Sequence, residues 1–116
     1  MSLSNLYNVG KIIYPKLNSV CSTYPLVAEN TAKFPFIIYR TSATRPIDSK
    51  DGIYDWIYTV EIKVVSDKYD VASDLSIEVV DKLLELEDVI DMEVQDVSED
   101  YIEDAYVRSI NIMISK

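Results

Sequence analysis

The sequence predicts an α+β domain, an antiparallel sheet of four to five strands with an N-terminal helix and a central helix packed on one face. Two observations lead to it. From Trp56 to Val64 the apolar residues fall on every second position, and from Tyr69 to Leu86 on every third or fourth, so a strand passes directly into a helix. Two more alternating runs follow, around Met92 and Ile112, which gives the order helix, two or three strands, helix, two strands. At 116 residues the chain suits one domain over 1–116, and folding at that size removes roughly 65% of the unfolded surface from water.

Taken in order, Leu3, Leu6, Val9, Ile13 and Leu17 lie three and four apart on one helical face, with Ser2 or Ser4 placed to cap it. Gly10 and Pro15 oppose that helix. Glycine costs about 1 kcal/mol in a helix interior, and proline removes a donor and clashes with the preceding turn. The helix is therefore expected to end or kink near Tyr14. Residues 18–33 carry Ser22, Thr23, Pro25, Asn30 and Thr31, a turn composition, with a short strand expected around Leu26 and Val27. Phe34-Pro35-Phe36-Ile37-Ile38-Tyr39-Arg40 is aromatic and β-branched, a strand with its proline at the start.

Thr41 to Gly52 is polar, contains Pro46 and a Lys50-Asp51-Gly52 turn signal, and reads as a loop too long for a tight hairpin. In the strand from Ile53 to Val65, Trp56, Tyr58, Val60, Ile62 and Val64 share one face. Thr59, Glu61 and Lys63 share the other, which predicts one covered and one wetter side. Asp67 is placed to accept from the first free amides of the central helix, and Asp70 and Asp74 suit the positive end of its dipole. The stripe Tyr69, Ala72, Leu75, Val79, Leu83 and Leu86 faces the core, while Asp74, Glu78, Asp81 and Glu85 form a solvated acidic face. A half-buried strand through Ile90, Met92 and Val94 comes next. Ser98 to Asp104 then reads as an acidic connection, and a final strand from Tyr106 to Ser115 carries Ile110, Ile112 and Ile114 on one side.

Net charge is −9, unevenly placed. Between Asp67 and Asp104 fifteen acidic residues face two basic ones, whereas residues 1–66 carry seven basic and five acidic. That imbalance argues against direct nucleic-acid binding, which needs clustered Lys and Arg to displace counterions. The chain has no histidine, so triads that depend on imidazole are excluded. Two glycines cannot build a phosphate-cradling loop. The acidic stretch lacks the alternating ligands, central glycine and terminal glutamate of a calcium loop. No catalytic, cofactor-binding or metal-binding residue is assigned and no cofactor is expected.

Cys21, the lone cysteine, cannot pair within the chain and is expected to be an idle thiol in a reducing compartment. No apolar run reaches the roughly 18 residues of a membrane span, and the first residues lack a signal-peptide pattern, so no membrane partner is expected. Nine tyrosines and Trp56 exceed what a small core needs, which makes Tyr54, Tyr58, Tyr101 and Tyr106, placed at strand ends or in loops, plausible contact residues.

One resemblance covers nearly the whole chain. A first helix ending in Ile12-Ile13-Tyr14 is followed by the strand Phe34-Pro35-Phe36-Ile37-Ile38-Tyr39. Then come Tyr58-Thr59-Val60-Glu61-Ile62-Lys63-Val64-Val65, Asp67, Tyr69, Ala72, the Ile77 to Leu84 helix and the strand Ser109-Ile110-Asn111-Ile112. This order resembles the tail-completion or tail-terminator proteins (minor tail, head-tail joining proteins) of siphophage-like viruses and prophages, often known only as a domain of unknown function. The resemblance implies a structural protein and not an enzyme. It implies a ring, commonly a hexamer, whose partners are further copies of itself, the tail tube protein and the head-tail connector proteins. It also implies assembly in the bacterial cytoplasm and residence in the virion tail.

A ring brings one patch of each copy against a different patch of the next. Charge segregation nominates Arg40, Arg45, Lys50 and Tyr54 on the long-loop side against Glu99, Asp100, Glu103 and Asp104 on the acidic connection. The alternative reading, from the acidic surface alone, is an acidic protein-binding module, a DNA mimic or antitoxin-like inhibitor.

Overall fold

The computed structural model describes residues 10–28, 31–49, 52–86 and 91–115, with side chains at all of these except 43, 46–49 and 52–56. Its elements are α1 (Gly10–Asn18), β1 (Thr23–Pro25), β2 (Phe36–Ser49), β3 (Gly52–Ser66), α2 (Tyr69–Leu84), β4 (Asp91–Ile102) and β5 (Ala105–Ser115). The five strands form one sheet in the order β1-β2-β3-β5-β4. β1 runs parallel to β2, and every other neighbour is antiparallel. The expected α+β class and the two helices on one face are both present.

The core lies between the helices and one face of the sheet. Tyr58, Val60, Ile62 and Val64 of β3 meet Ile110, Ile112 and Ile114 of β5, all buried, with Val60 opposite Ile112 and Ile62 opposite Ile110. Above them α2 lays down Ala72, Ser76, Val79 and Leu83, and α1 adds Ile13 and Leu17. Fully burying an isoleucine or leucine contributes about 1.5–3 kcal/mol, so this layer holds the sheet and both helices together. Buried Ser76 is satisfied, its Oγ donating to the Ser73 carbonyl at 2.7 Å. On the far side of α2, Asp74, Glu78, Asp81 and Glu85 are exposed.

Several local expectations are corrected. α1 does not end at Tyr14 but continues through Pro15 to Asn18. Pro15 is exposed, so the carbonyl that loses its helical partner can turn to water, while buried Ile13 and Leu17 on either side hold the turn. The short strand is Thr23–Pro25, because Leu26 takes φ 66° and turns the chain out of line. β2 starts at Phe36, after the proline. Asp67 is not the helix cap. Lys68 holds that position without a side-chain cap, and its N–H donates to Ser66 Oγ at 3.2 Å.

The largest correction concerns Thr41 to Gly52. Residues 41–49 are strand and not loop: β2 runs to Ser49 and β3 starts at Gly52, with Ser49 opposite Gly52, while Lys50 and Asp51 of the expected turn lie outside the described residues. β5 accompanies β3 only from Ile57, which lies opposite Ser115. Past that rung β2 and β3 continue alone as a two-stranded arm. Each strand of such a ribbon has an open edge, where a proline such as Pro46 is tolerated. The register steps between Thr41 and Ala43, where Ser42 Oγ donates to the Thr59 carbonyl at 3.1 Å. The arm lengthens a molecule of 51 × 27 × 22 Å.

Candidate functional site

The arm marks one end of the sheet, and the β4–β5 hairpin marks the other. Ser98 to Asp104 is not a connection: β4 runs to Ile102, and only Glu103 and Asp104 form the turn. Both have positive φ, 49° and 63°, the pattern of a two-residue turn whose twist matches its strands. That turn sets Tyr101 opposite Tyr106, with ring centroids 4.8 Å apart. The first turn of α2 adds Tyr69, edge-on to Tyr106 at 5.6 Å and 81°. Three tyrosines thus meet where no single element would place them.

Beneath the rings, Glu99 Oε2 accepts from Arg108 Nη1 and, at 3.0 Å, from the Tyr69 hydroxyl. That hydrogen bond to a carboxylate raises the Tyr69 pKa, because the phenol must keep its proton to donate. Arg108 Nε is buried without a hydrogen-bond partner among the described residues. Tyr69, Ala72, Glu99, Tyr101, Tyr106 and Arg108 line a half-open cavity of about 220 Å³. Exposed Asp100 also lines it, and Asp104 in the turn stands beside it, with the Tyr101 hydroxyl 3.5 Å from Asp104 Oδ1. Aromatic faces, phenolic hydroxyls and carboxylates are recognition groups.

The opposite, helix-free face is also apolar at this end. Val65, Ala105 and Val107 are buried beneath Phe36, against which Phe34 stacks at 5.6 Å and 14°. Phe34 and Ile102 remain 45% and 47% exposed, so the expected wetter side of the sheet is not uniformly wet.

The nominated residues separate into two groups. Glu99 and Asp100 belong to β4, and with Glu103 and Asp104 they share the hairpin end. Arg40 lies opposite Glu61 and donates to it at 3.3 Å, so its charge is already met within the chain. Arg45 is exposed, at the rung opposite Ile57 where the arm leaves the sheet. Lys50 lies outside the described residues, and Tyr54 is described only as backbone of β3. Tyr58 is a core residue, 2% exposed, and not a contact residue, because its even position in β3 turns it to the helices. Sequence spacing alone does not point to Tyr69 and Arg108, since only the β4–β5 register and the start of α2 bring them to Glu99.

Neither a protein-family model nor a curated protein matches the chain by sequence. Its fold has a solved counterpart. The chain is similar to one in the virion of a native gene transfer agent particle, with a TM-score of 0.69 over 89% of this chain and 90% of that one. Identity is 11%, so the likeness is one of fold. Among the described residues, no group of three or more His, Cys, Asp or Glu is arranged to hold a metal ion, and no helix is long and apolar enough to cross a membrane. Cys21 is half-buried, and burial pushes its thiol up to about 11, with Glu78 adding to the effect.

Proposed function

We propose that this chain is a structural, non-catalytic protein of a phage or prophage particle. As one domain over 1–116, it caps the tail tube and helps join the tail to the head connector. The observation that carries the reading is the fold shared, over nearly the full length of both chains, with a component of a gene transfer agent virion. The elongated shape supports it. An arm at one end and an aromatic, acidic hairpin at the other are different surfaces, as the contacts of a ring require. Copies of the chain close into a ring, with a hexamer the expected number. The tube protein and connector proteins are its partners, and it assembles in the bacterial cytoplasm before entering the virion tail.

The test is removal of the gene from a producing strain, followed by electron microscopy. Overlong or headless tails are expected, and particles of normal length with heads attached would overturn the reading. A second reading draws on the exposed acidic row of α2, which suits an acidic module that binds a basic protein. It predicts normal particles in the same strain and capture of a nuclease or toxin by the purified chain.

A further inference from the structure

We propose that the tyrosine pocket at the hairpin end receives the Arg45 side chain of a second copy of this chain. The inference rests on the self-assembling role proposed above and names one of its contacts.

Three observations lead to it. The pocket presents the rings of Tyr69, Tyr101 and Tyr106 beside the carboxylates of Glu99, Asp100 and, through Tyr101, Asp104, the surroundings that favour a cation with an apolar stem. Arg108 does not fill that role, because its charge is held by Glu99. The chain has three arginines, and two of them are committed: Arg40 to Glu61 and Arg108 to Glu99. Arg45 is exposed and has no ionic partner among the described residues. A planar guanidinium stacks on aromatic rings better than an ammonium does, which makes the uncommitted arginine the fitting occupant.

Position then decides between a contact within one chain and a contact between copies. Arg45 shares a rung with Ile57, which faces Ser115, whereas the pocket lies at the rung where Ser66 faces Tyr106. Those rungs are separated by the length of β5, roughly 30 Å at about 3.3 Å per residue. Arg45 cannot reach the pocket of its own chain. It reaches that of a neighbour set head to tail, a heterologous contact that repeats around a closed ring. Asp100 and Asp104 orient the approach and the rings hold the side chain.

The test uses the full-length chain. p-Benzoylphenylalanine is placed at position 101, which keeps an aromatic side chain, and isotope-labelled and unlabelled copies are mixed and irradiated. The proposal expects crosslinked peptides joining position 101 of one copy to the segment around Arg45 of another. The same photoreactive residue at position 81, exposed on the outer side of α2 and away from the pocket, is expected to give no such product. Sedimentation equilibrium supplies the second measurement. Arg45→Ala and Tyr101→Ala should each weaken self-association about tenfold, the double variant should lose little more, and Arg45→Lys should fall between. Tyr101 is 56% exposed and Arg45 is exposed, so neither change threatens folding.

Self-association with crosslinks elsewhere, or with fully additive effects, overturns the pocket contact and leaves the ring reading standing. Absence of both self-association and crosslinks also overturns the pocket contact. The tail phenotype of the gene deletion decides the wider reading independently.

Discussion

Strands β2 and β3 pass through two environments, a three-stranded body beneath the helices and a two-stranded arm beyond it. From Phe36 to Thr41 and from Val60 to Ser66 they lie in the body of the sheet, where Ile37, Val60, Ile62 and Val64 are almost fully buried beneath the helices. Beyond the rung of Arg45 and Ile57 the same two strands run on without a third neighbour. In the body, hydrogen-bonded backbone and apolar burial act together. In the arm the described backbone is a two-stranded ladder, and an isolated two-stranded ribbon is marginal in water. In the ring proposed above, that arm is a contact surface.

Four changes break or sharpen this contrast, beginning with the largest effect. Replacing residues 47–55 by Asn-Gly closes the hairpin at the Pro46–Trp56 rung. It should abolish ring assembly in sedimentation while leaving the thermal midpoint of the free chain within a few degrees. A large fall in that midpoint would make the arm part of the scaffold. In the body, Ile62→Ala should cost about 2–5 kcal/mol in a urea titration, because the helices above cannot collapse into the cavity. Asp104→Gly should stabilise the chain by about 1 kcal/mol, since a positive φ of 63° strains any residue with a Cβ.

The smallest effect depends on pH. Glu85 accepts from Lys16 Nζ at 3.0 Å, tying α1 to the end of α2, and that bond followed by the charges of Lys16 and Lys82 lowers its pKa. A carboxylate whose folded pKa lies below its unfolded value, about 4.3, adds stability above that value and loses it as pH falls through the folded pKa. Glu85→Gln should therefore be slightly less stable than the parent at pH 7, with the gap closing in acid. A gap that persisted at pH 2 would point to packing in place of charge.

The body was readable from the sequence because burial and period coincide there. Alternation in Tyr58, Val60, Ile62 and Val64, and the spacing of Ala72, Val79 and Leu83, are the marks of one-sided covering. Only the β3 half of the arm, from Ile53, was readable in the same way. In the β2 half polar residues break the apolar period, so Pro46 and Gly52 looked like loop residues. The hairpin turn was hidden because Glu103 and Asp104 do the work usually signalled by Asn-Gly. With the turn hidden, the pairing of Tyr101 with Tyr106 was hidden, and with it the pocket. Charge counting brought Arg40 forward, but it could not show that the register sets Glu61 directly across from it.

The most direct test of the claim that the sheet body is scaffold and its two ends are contacts is electron cryomicroscopy of assembled particles. The account predicts this fold as a closed ring at the head-proximal end of the tail tube, with the arm of each copy against the hairpin end of the next. A particle in which the copies meet through their helical faces, with arm and hairpin both in solvent, would contradict it.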